Sequence, residues 1–113
     1  MHEFHATEAI LKHALAQAAQ RNASRIVAVQ FVVGEISTYT ADAITGAWEV
    51  LARGTVAEGA RLGFRSVPAE AQCMVCFKEY HPEGGSIVCP HCGSVGAKIL
   101  AGEEFYMESA DVE

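Results

Sequence analysis

The sequence predicts an α+β fold: a small three-stranded mixed sheet with two helices, and a four-cysteine module inserted before the last strand. Three observations predict it. Apolar spacing switches from helical to extended, and does so twice, across residues 4–67. All four cysteines then fall within 70–98, together with Pro82 and Pro90. An alternating segment returns at 99–109.

Each element has its own warrant. Residues 4–22 read as a helix because Phe4, Leu11, Leu15 and Ala18 recur near the spacing of a buried stripe, widened by Ile10 and Ala14. Alanine content supports it and Asn22 is a suitable stop. Residues 25–34 change to period two, which puts Val27, Val29, Phe31 and Val33 toward the core and Ile26, Ala28, Gln30 and Val32 on the other face, up to Gly34. A second helix is expected over 40–53, with Ile44, Ala47, Trp48 and Leu51 on its apolar face, Asp42 in its first turn and Gly54 beyond its end. After a turn at Glu58-Gly59, residues 61–67 alternate with Leu62 and Phe64 inward and Arg61 and Arg65 outward, and Pro68 closes the strand. The segment 99–109 reads as one strand, Phe105, Met107 and Ser109 alternating with Glu104, Tyr106 and Glu108. Both helices are expected to cover one sheet face.

Composition narrows the function classes. Half of the 113 residues are apolar and 19% are charged, an ordinary globular balance. No apolar run reaches the ~18–20 residues of a membrane span, and the N-terminus lacks a signal-peptide pattern, so a soluble, cytoplasmic protein is expected. The formal charge of −6 would repel a phosphate backbone. No nucleophile–base pair or phosphate-binding glycine loop supports an enzyme.

Cys73-Met74-Val75-Cys76 and Cys89-Pro90-His91-Cys92 are two Cys-x-x-Cys knuckles separated by twelve residues. Two intervening residues let a tight turn aim both thiolates at one ion, and a pair of such turns completes the closed tetrahedral shell of four sulfurs typical of structural zinc. Gly93 permits the positive φ such a turn needs, and Gly84-Gly85 offers a reversal between the knuckles. The segment is a zinc-ribbon-like module of four cysteines, too small at about thirty residues to fold without a metal or crosslink. A rubredoxin-type iron site uses the same ligands, and a disulfide within each knuckle is the remaining alternative. Four thiolates leave no open position for catalytic zinc. His81 and His91 read as solvent-facing loop histidines. The division expected is an α/β domain of residues 1–69 and 99–113 and a zinc-binding domain of residues 70–98.

The chain start offers a second ligand set. His2, the α-amine of Met1 and intervening amide nitrogens form an all-nitrogen planar set suited to Ni(II) or Cu(II), with Glu3 as a carboxylate ligand or an acceptor for the imidazole. The bulk of His2 predicts that Met1 is retained. From the residues alone, a solvated His-Glu pair is the commoner reading of such a terminus. His5 follows one turn after His2 and is an open additional ligand. His13 is eight residues from His5, roughly 12 Å along a helix, too far to share its ion, and reads as a surface residue.

Met1-His2-Glu3, Gly34-Glu35-Ile36-Ser37, Gly54-Thr55-Val56-Ala57-Glu58-Gly59-Ala60, the two knuckles with Cys89-Pro90-His91-Cys92-Gly93-Ser94, and Gly102-Glu103-Glu104 occur in an order that resembles the HypA/HybF nickel metallochaperones of hydrogenase maturation. The resemblance covers essentially the whole chain. It implies a nickel site built on the His2 imidazole, backbone nitrogen and the Met1 amine, with Glu3 setting affinity or partner contact, and structural Zn2+ on Cys73, Cys76, Cys89 and Cys92. It implies delivery of Ni2+ to the [NiFe]-hydrogenase large subunit with the GTPase HypB, and in some organisms service to urease maturation and its accessory proteins. His5 after Phe4 departs from the pattern, and the final strand is less aliphatic than usual, which points either to weaker packing or to an edge able to swap between chains. The competing function is a zinc-ribbon nucleic-acid or protein-interaction module, which the charge and the single basic residue between the outer cysteines, Lys78, argue against where nucleic acid is concerned.

Overall fold

Alanine content and a stripe of Thr7, Leu11, Ala14 and Ala18 make His2–Gln20 the first helix, α1, which opens at His2 rather than at Phe4. It closes where Asn22 turns left-handed at φ 55 and the Ala23 N–H donates to the Ala18 carbonyl at 2.9 Å. The computed structural model describes residues 2–113.

Strand β1, Ile26–Gly34, is the centre of the first sheet. Val29, Phe31 and Val33 point at the helices as expected. The start of the strand does not follow simple alternation. The register against the last strand slips between Ile26 and Ala28, a bulge that absorbs Val27 and returns Ile26, fully buried, to the core face. A one-residue bulge reverses the phase of a period-two pattern, which is why Val27 and Ile26 exchange their expected roles.

Helix α2, Ala41–Leu51, is capped by the Thr40 hydroxyl, which accepts from the Ala43 N–H at 3.2 Å, and buries Ile44, Ala47 and Trp48. Strand β2, Arg61–Val67, runs parallel to β1. The final strand, labelled β6 in chain order and spanning Phe105–Val112, pairs antiparallel on the other side, so the sheet order is β2-β1-β6 and the sheet is mixed. Both helices pack on one face. Phe31 sits at the middle of that layer, edge-on to Trp48 at 5.8 Å and stacked on Phe64 and Phe105 at 5.4 and 5.9 Å.

Between β2 and β6 the chain builds a second sheet. Strands β3 (Glu70–Cys73), β4 (Glu79–Tyr80) and β5 (Ala97–Ala101) are antiparallel in the order β4-β3-β5. The segment expected as one strand over 99–109 is therefore two. Its first residues pair with β3, the chain bends at Gly102 (φ 114), and β6 begins at Phe105. The reversal at Gly84-Gly85 is a 3-10 turn, Glu83–Gly85. The two sheets make an elongated molecule of 56 × 25 × 17 Å.

Candidate metal centres

The two knuckles fold as near copies. In the first, the N–H groups of Val75 and Cys76 both donate to Cys73 Sγ at 3.4 Å, and the Phe77 N–H closes onto the Cys73 carbonyl at 2.9 Å. In the second, the His91 N–H donates to Cys89 Sγ at 3.3 Å and the Gly93 N–H to the Cys89 carbonyl at 2.8 Å. The closing residue is left-handed in both, Gly93 at φ 79 and Phe77 at φ 65. Glycine takes that conformation freely, whereas phenylalanine holds it under strain because the turn demands it.

All four sulfur atoms converge, lying within 4.8 Å of one another. Two close separations join the knuckles: Cys73 to Cys92 at 3.5 Å and Cys76 to Cys89 at 3.7 Å. Tetrahedral zinc with Zn–S bonds of ~2.3 Å requires sulfurs roughly 3.8 Å apart, so this donor set fits the ion. All four cysteines are free thiols. Their proton affinities diverge. The Ser94 hydroxyl and N–H hold Cys92 down at about 6. The N–H groups of Cys76 and Val75 lower Cys73. The Lys78 N–H acts to lower Cys76 too, but burial and the other three sulfurs push it up to about 11. Bringing all four to thiolate at neutral pH is work for a cation at their centre. The module's apolar support is slight: Ala71, Cys73, Tyr80 and Cys89 form its buried cluster, Pro82 is buried besides, and Tyr80 Oη donates to the Ile87 carbonyl at 2.8 Å.

The cysteine sheet joins the helical body through a polar knot. Glu35, just past β1, accepts the Ala69 N–H on Oε1 at 2.7 Å, while its Oε2 lies 3.5 Å from His81 Nε2. The other ring nitrogen of His81, Nδ1, is 2.8 Å from the Ala69 carbonyl. His81 is an exposed loop residue, as expected from sequence, but one whose two ring nitrogens face partners at the junction of the two sheets. Nearby, the N–H groups of Glu35 and Ile36 donate to Val67 and Gly102, and the Gly34 N–H donates to Glu104. A Cβ on Gly34 would collide with the Gly102 carbonyl, and one on Gly102 would lie 2.7 Å from Ala69 Cα. Glu35, His81 and Gly102 were not singled out by chemistry in the sequence, although the Gly-Glu pair closing a strand was the available signal.

At the chain start, Met1 lies outside the described residues. His2 and His5 are exposed on α1, one turn apart and so on the same side of it, and Glu3 is half-buried beside them. The Glu3 carboxyl is held below its ordinary value, chiefly by its own backbone N–H. Among the described residues, the four cysteines alone form a preassembled cluster of three or more metal-ligating side chains, so His2, Glu3 and His5 are not brought together as one. His13 is exposed farther along α1, and His91 is exposed in the second knuckle.

A family model described as "Hydrogenase/urease nickel incorporation, metallochaperone, hypA" matches residues 1–112. A protein named hydrogenase maturation factor HypA from Dehalococcoides mccartyi strain 195 is 34% identical over 113 residues, covering 100% of this chain and 95% of its own. Its namesake from Geobacter metallireducens strain GS-15 is also 34% identical, with 100% of both chains covered. Among solved structures, the nickel metallochaperone HypA of Helicobacter pylori superposes with a TM-score of 0.67 at 22% identity over 97% of this chain and 96% of that one. A second solution structure, of a HypA protein, gives 0.73 at 23% identity over 100% and 97%. These two structures share the fold.

Proposed function

Because the chain belongs to the HypA family of hydrogenase/urease nickel-incorporation metallochaperones, we propose that it carries Ni(II) on its first residues and hands the ion to a hydrogenase precursor. The observation that carries this reading is a contrast between its two ligand sets. The cysteines form a closed, preformed shell of four sulfurs, whereas His2 and Glu3 stand at the open end of α1 and, among the described residues, belong to no cluster of three or more ligating side chains. A carrier must bind its cargo and release it, and open terminal ligands suit that task better than a closed shell. The ligands proposed for nickel are the Met1 amine, the His2 imidazole with backbone nitrogen, and Glu3. His5 is within reach as a further imidazole, since positions three apart share a helix face.

Zinc is the resident ion we assign to Cys73, Cys76, Cys89 and Cys92. It supplies structural cross-linking, and the protein performs no bond chemistry of its own. The working division is a nickel-carrying α/β domain, expected over 1–69 and 99–113, with a zinc domain over 70–98 whose sheet runs on through β5 to Ala101. The partners proposed are the GTPase HypB and the [NiFe]-hydrogenase large subunit, with urease accessory proteins where that enzyme is present. A cytoplasmic location agrees with the four free thiols. Among the described residues, no helix is long and apolar enough to cross a membrane.

The test is a Ni(II) titration of the zinc-loaded protein with its native terminus, run beside His2→Ala and a version extended before Met1. Nickel binding should fall in both, because the extension removes the amine while keeping every side chain. Unchanged binding in both would overturn the terminal site.

A further inference from the structure

Strand β6 ends its sheet: β1 pairs with it on one flank, and among the described residues no strand lies on the other. A hollow of about 600 Å³ runs along that free flank, between the strand and α1. Every residue from 105 to 110 borders it. Residues on a single sheet face alternate, so a hollow met by six in succession follows the strand's edge, where unpaired backbone N–H and C=O groups point outward. Its wall is one row of α1. Ala9, His13 and Gln17 recur every four residues, Arg21 continues the row into the turn that ends the helix, and Ile10 stands beside the first. Wall and floor match in length. From Ala9 to Arg21 the helix advances ~18 Å, and residues 105–110 span ~17 Å. They also run the same way, because the N–H groups of Ser24 and Arg25, just past the helix, both donate to the Glu113 carbonyl, just past the strand. Ile10 therefore stands toward the Phe105 end of the groove and Arg21 toward the Ala110 end.

We infer that this groove takes an extended peptide segment of another protein, added to the free edge of β6 as a further strand, with a carboxylate toward Arg21 and an apolar side chain toward Ile10. An edge strand offers backbone bonds to any chain in the β conformation, and the side chains around it decide which chain is held. At the Phe105 end the wall is apolar. At the other end Arg21 is exposed and has no ion-pair partner among the described residues. The one acid bordering the groove, Glu108, is already matched by Arg65 at 2.7 Å. The groove is thus a basic spot on a chain of net charge −6, which favours an acidic segment. In an antiparallel added strand, side chains four residues apart share a face and stand ~14 Å apart, so a carboxylate followed four residues later by an apolar group reaches both ends.

The shape of the edge selects a flexible segment over the rim of another sheet. The register of β6 against β1 slips between Gln30 and Phe31, which leaves Glu108 as an extra residue and bends the strand midway along the groove. A strand fixed in its own sheet would lose register at that bend, which is how bulged edges resist sheet-to-sheet pairing, whereas a free peptide follows it. So short a segment buries little area, and the complex is weak and exchanges quickly. The inference does not depend on the nickel reading.

An NMR titration of the full, zinc-loaded chain tests it, using a capped five-residue peptide with glutamate first, leucine last and threonine, valine, threonine between. Amide shifts should concentrate at residues 105–110 and along the α1 row. Arg21→Glu should weaken binding roughly fivefold or more, since an attraction becomes a repulsion. The same peptide with lysine first should show the opposite preference and bind the variant better than the wild type. Circular dichroism establishes that the variant is folded. An absence of shifts at 105–110, shifts of equal size along the free edge of β2, or indifference to the exchange of charges would each overturn the inference. So would concentration-dependent shifts of the same amides without peptide, which would assign the groove to a second copy of the chain.

Discussion

The imidazole of His81, in the cysteine unit, lies 3.5 Å from the carboxylate of Glu35, in the helical body, and both side chains also hold the same backbone residue, Ala69. Ala69 is fully buried between β2 and β3, on the segment that leads from one sheet into the other. The three groups close a small ring: Ala69 N–H to carboxylate, carboxylate to imidazole, imidazole to Ala69 carbonyl. Only a protonated imidazole has N–H donors for both acceptors.

A pH dependence follows. The bond to the Ala69 carbonyl raises His81 above its ordinary 6.5 by more than burial lowers it, and the charges of Glu35, Glu83 and Glu70 add to the rise. A raised folded value means that the stabilisation is complete below the unfolded value and disappears as pH rises through the folded one. NMR titration of the His81 ring should give a midpoint above 6.5. Glu35→Gln should lower it only part of the way, because the carbonyl remains. A wild-type midpoint at the ordinary value would contradict the ring.

The glycines separate close approach from mere presence. Gly102 has φ 114 and abuts Ala69 and Ile36, whereas Gly46 lies inside α2 with open space where a Cβ would stand. Gly102→Ala should therefore cost at least ~1–3 kcal/mol through overpacking and strain. Gly46→Ala should stabilise by ~0.5–1 kcal/mol, from helix propensity alone. Urea denaturation of both variants reads the two signs, and a shift in the same direction for both would refute the distinction.

Zinc removal should act on one half of the molecule. The buried cluster of the cysteine unit is only Ala71, Tyr80 and two of its own thiols, with Pro82 buried besides, against the core built around Phe31 and Trp48 in the body. A structural zinc contributes on the order of 10–16 kcal/mol of apparent binding energy, far more than so small a core supplies. Chelation should therefore disorder β3 to β5 while the helical circular dichroism signal stays largely intact. Loss of α1 and α2 together with the metal would show that the two halves fold as one.

The elements legible in sequence were those that bury a stripe. Both helices, β1, β2 and the latter part of 99–109 carry an apolar face, and burial imposes the period that can be read. The strands of the cysteine unit were not legible, because Glu70–Cys73 and Glu79–Tyr80 are too short for a period and are organised around sulfur. The bulge at Val27 was invisible because it alters phase without altering composition. The junction escaped for another reason: residues 34, 35, 69, 81 and 102 meet only after both sheets form, and much of their bonding is backbone. The cysteines were legible from spacing, since two residues between thiols fix a turn.

Thr7 gives a last test of packing. It is fully buried on α1, and its hydroxyl has no hydrogen-bond partner among the described residues, as is also true of the Trp48 indole N–H on α2. An unpaired buried hydroxyl carries a desolvation cost of ~1–3 kcal/mol that folding does not recover. Valine has nearly the same shape without the polar atom, and both residues are β-branched, so helix propensity hardly changes. Thr7→Val should therefore raise stability by about 1 kcal/mol, read as a higher denaturation midpoint at unchanged slope. Thr7→Ala removes the same hydroxyl but also leaves a void beside the α2 contact, so its cavity penalty should offset the gain. If valine instead destabilises as much as alanine, the hydroxyl has a partner in solution, and the interface between the two helices is wetter than its burial implies.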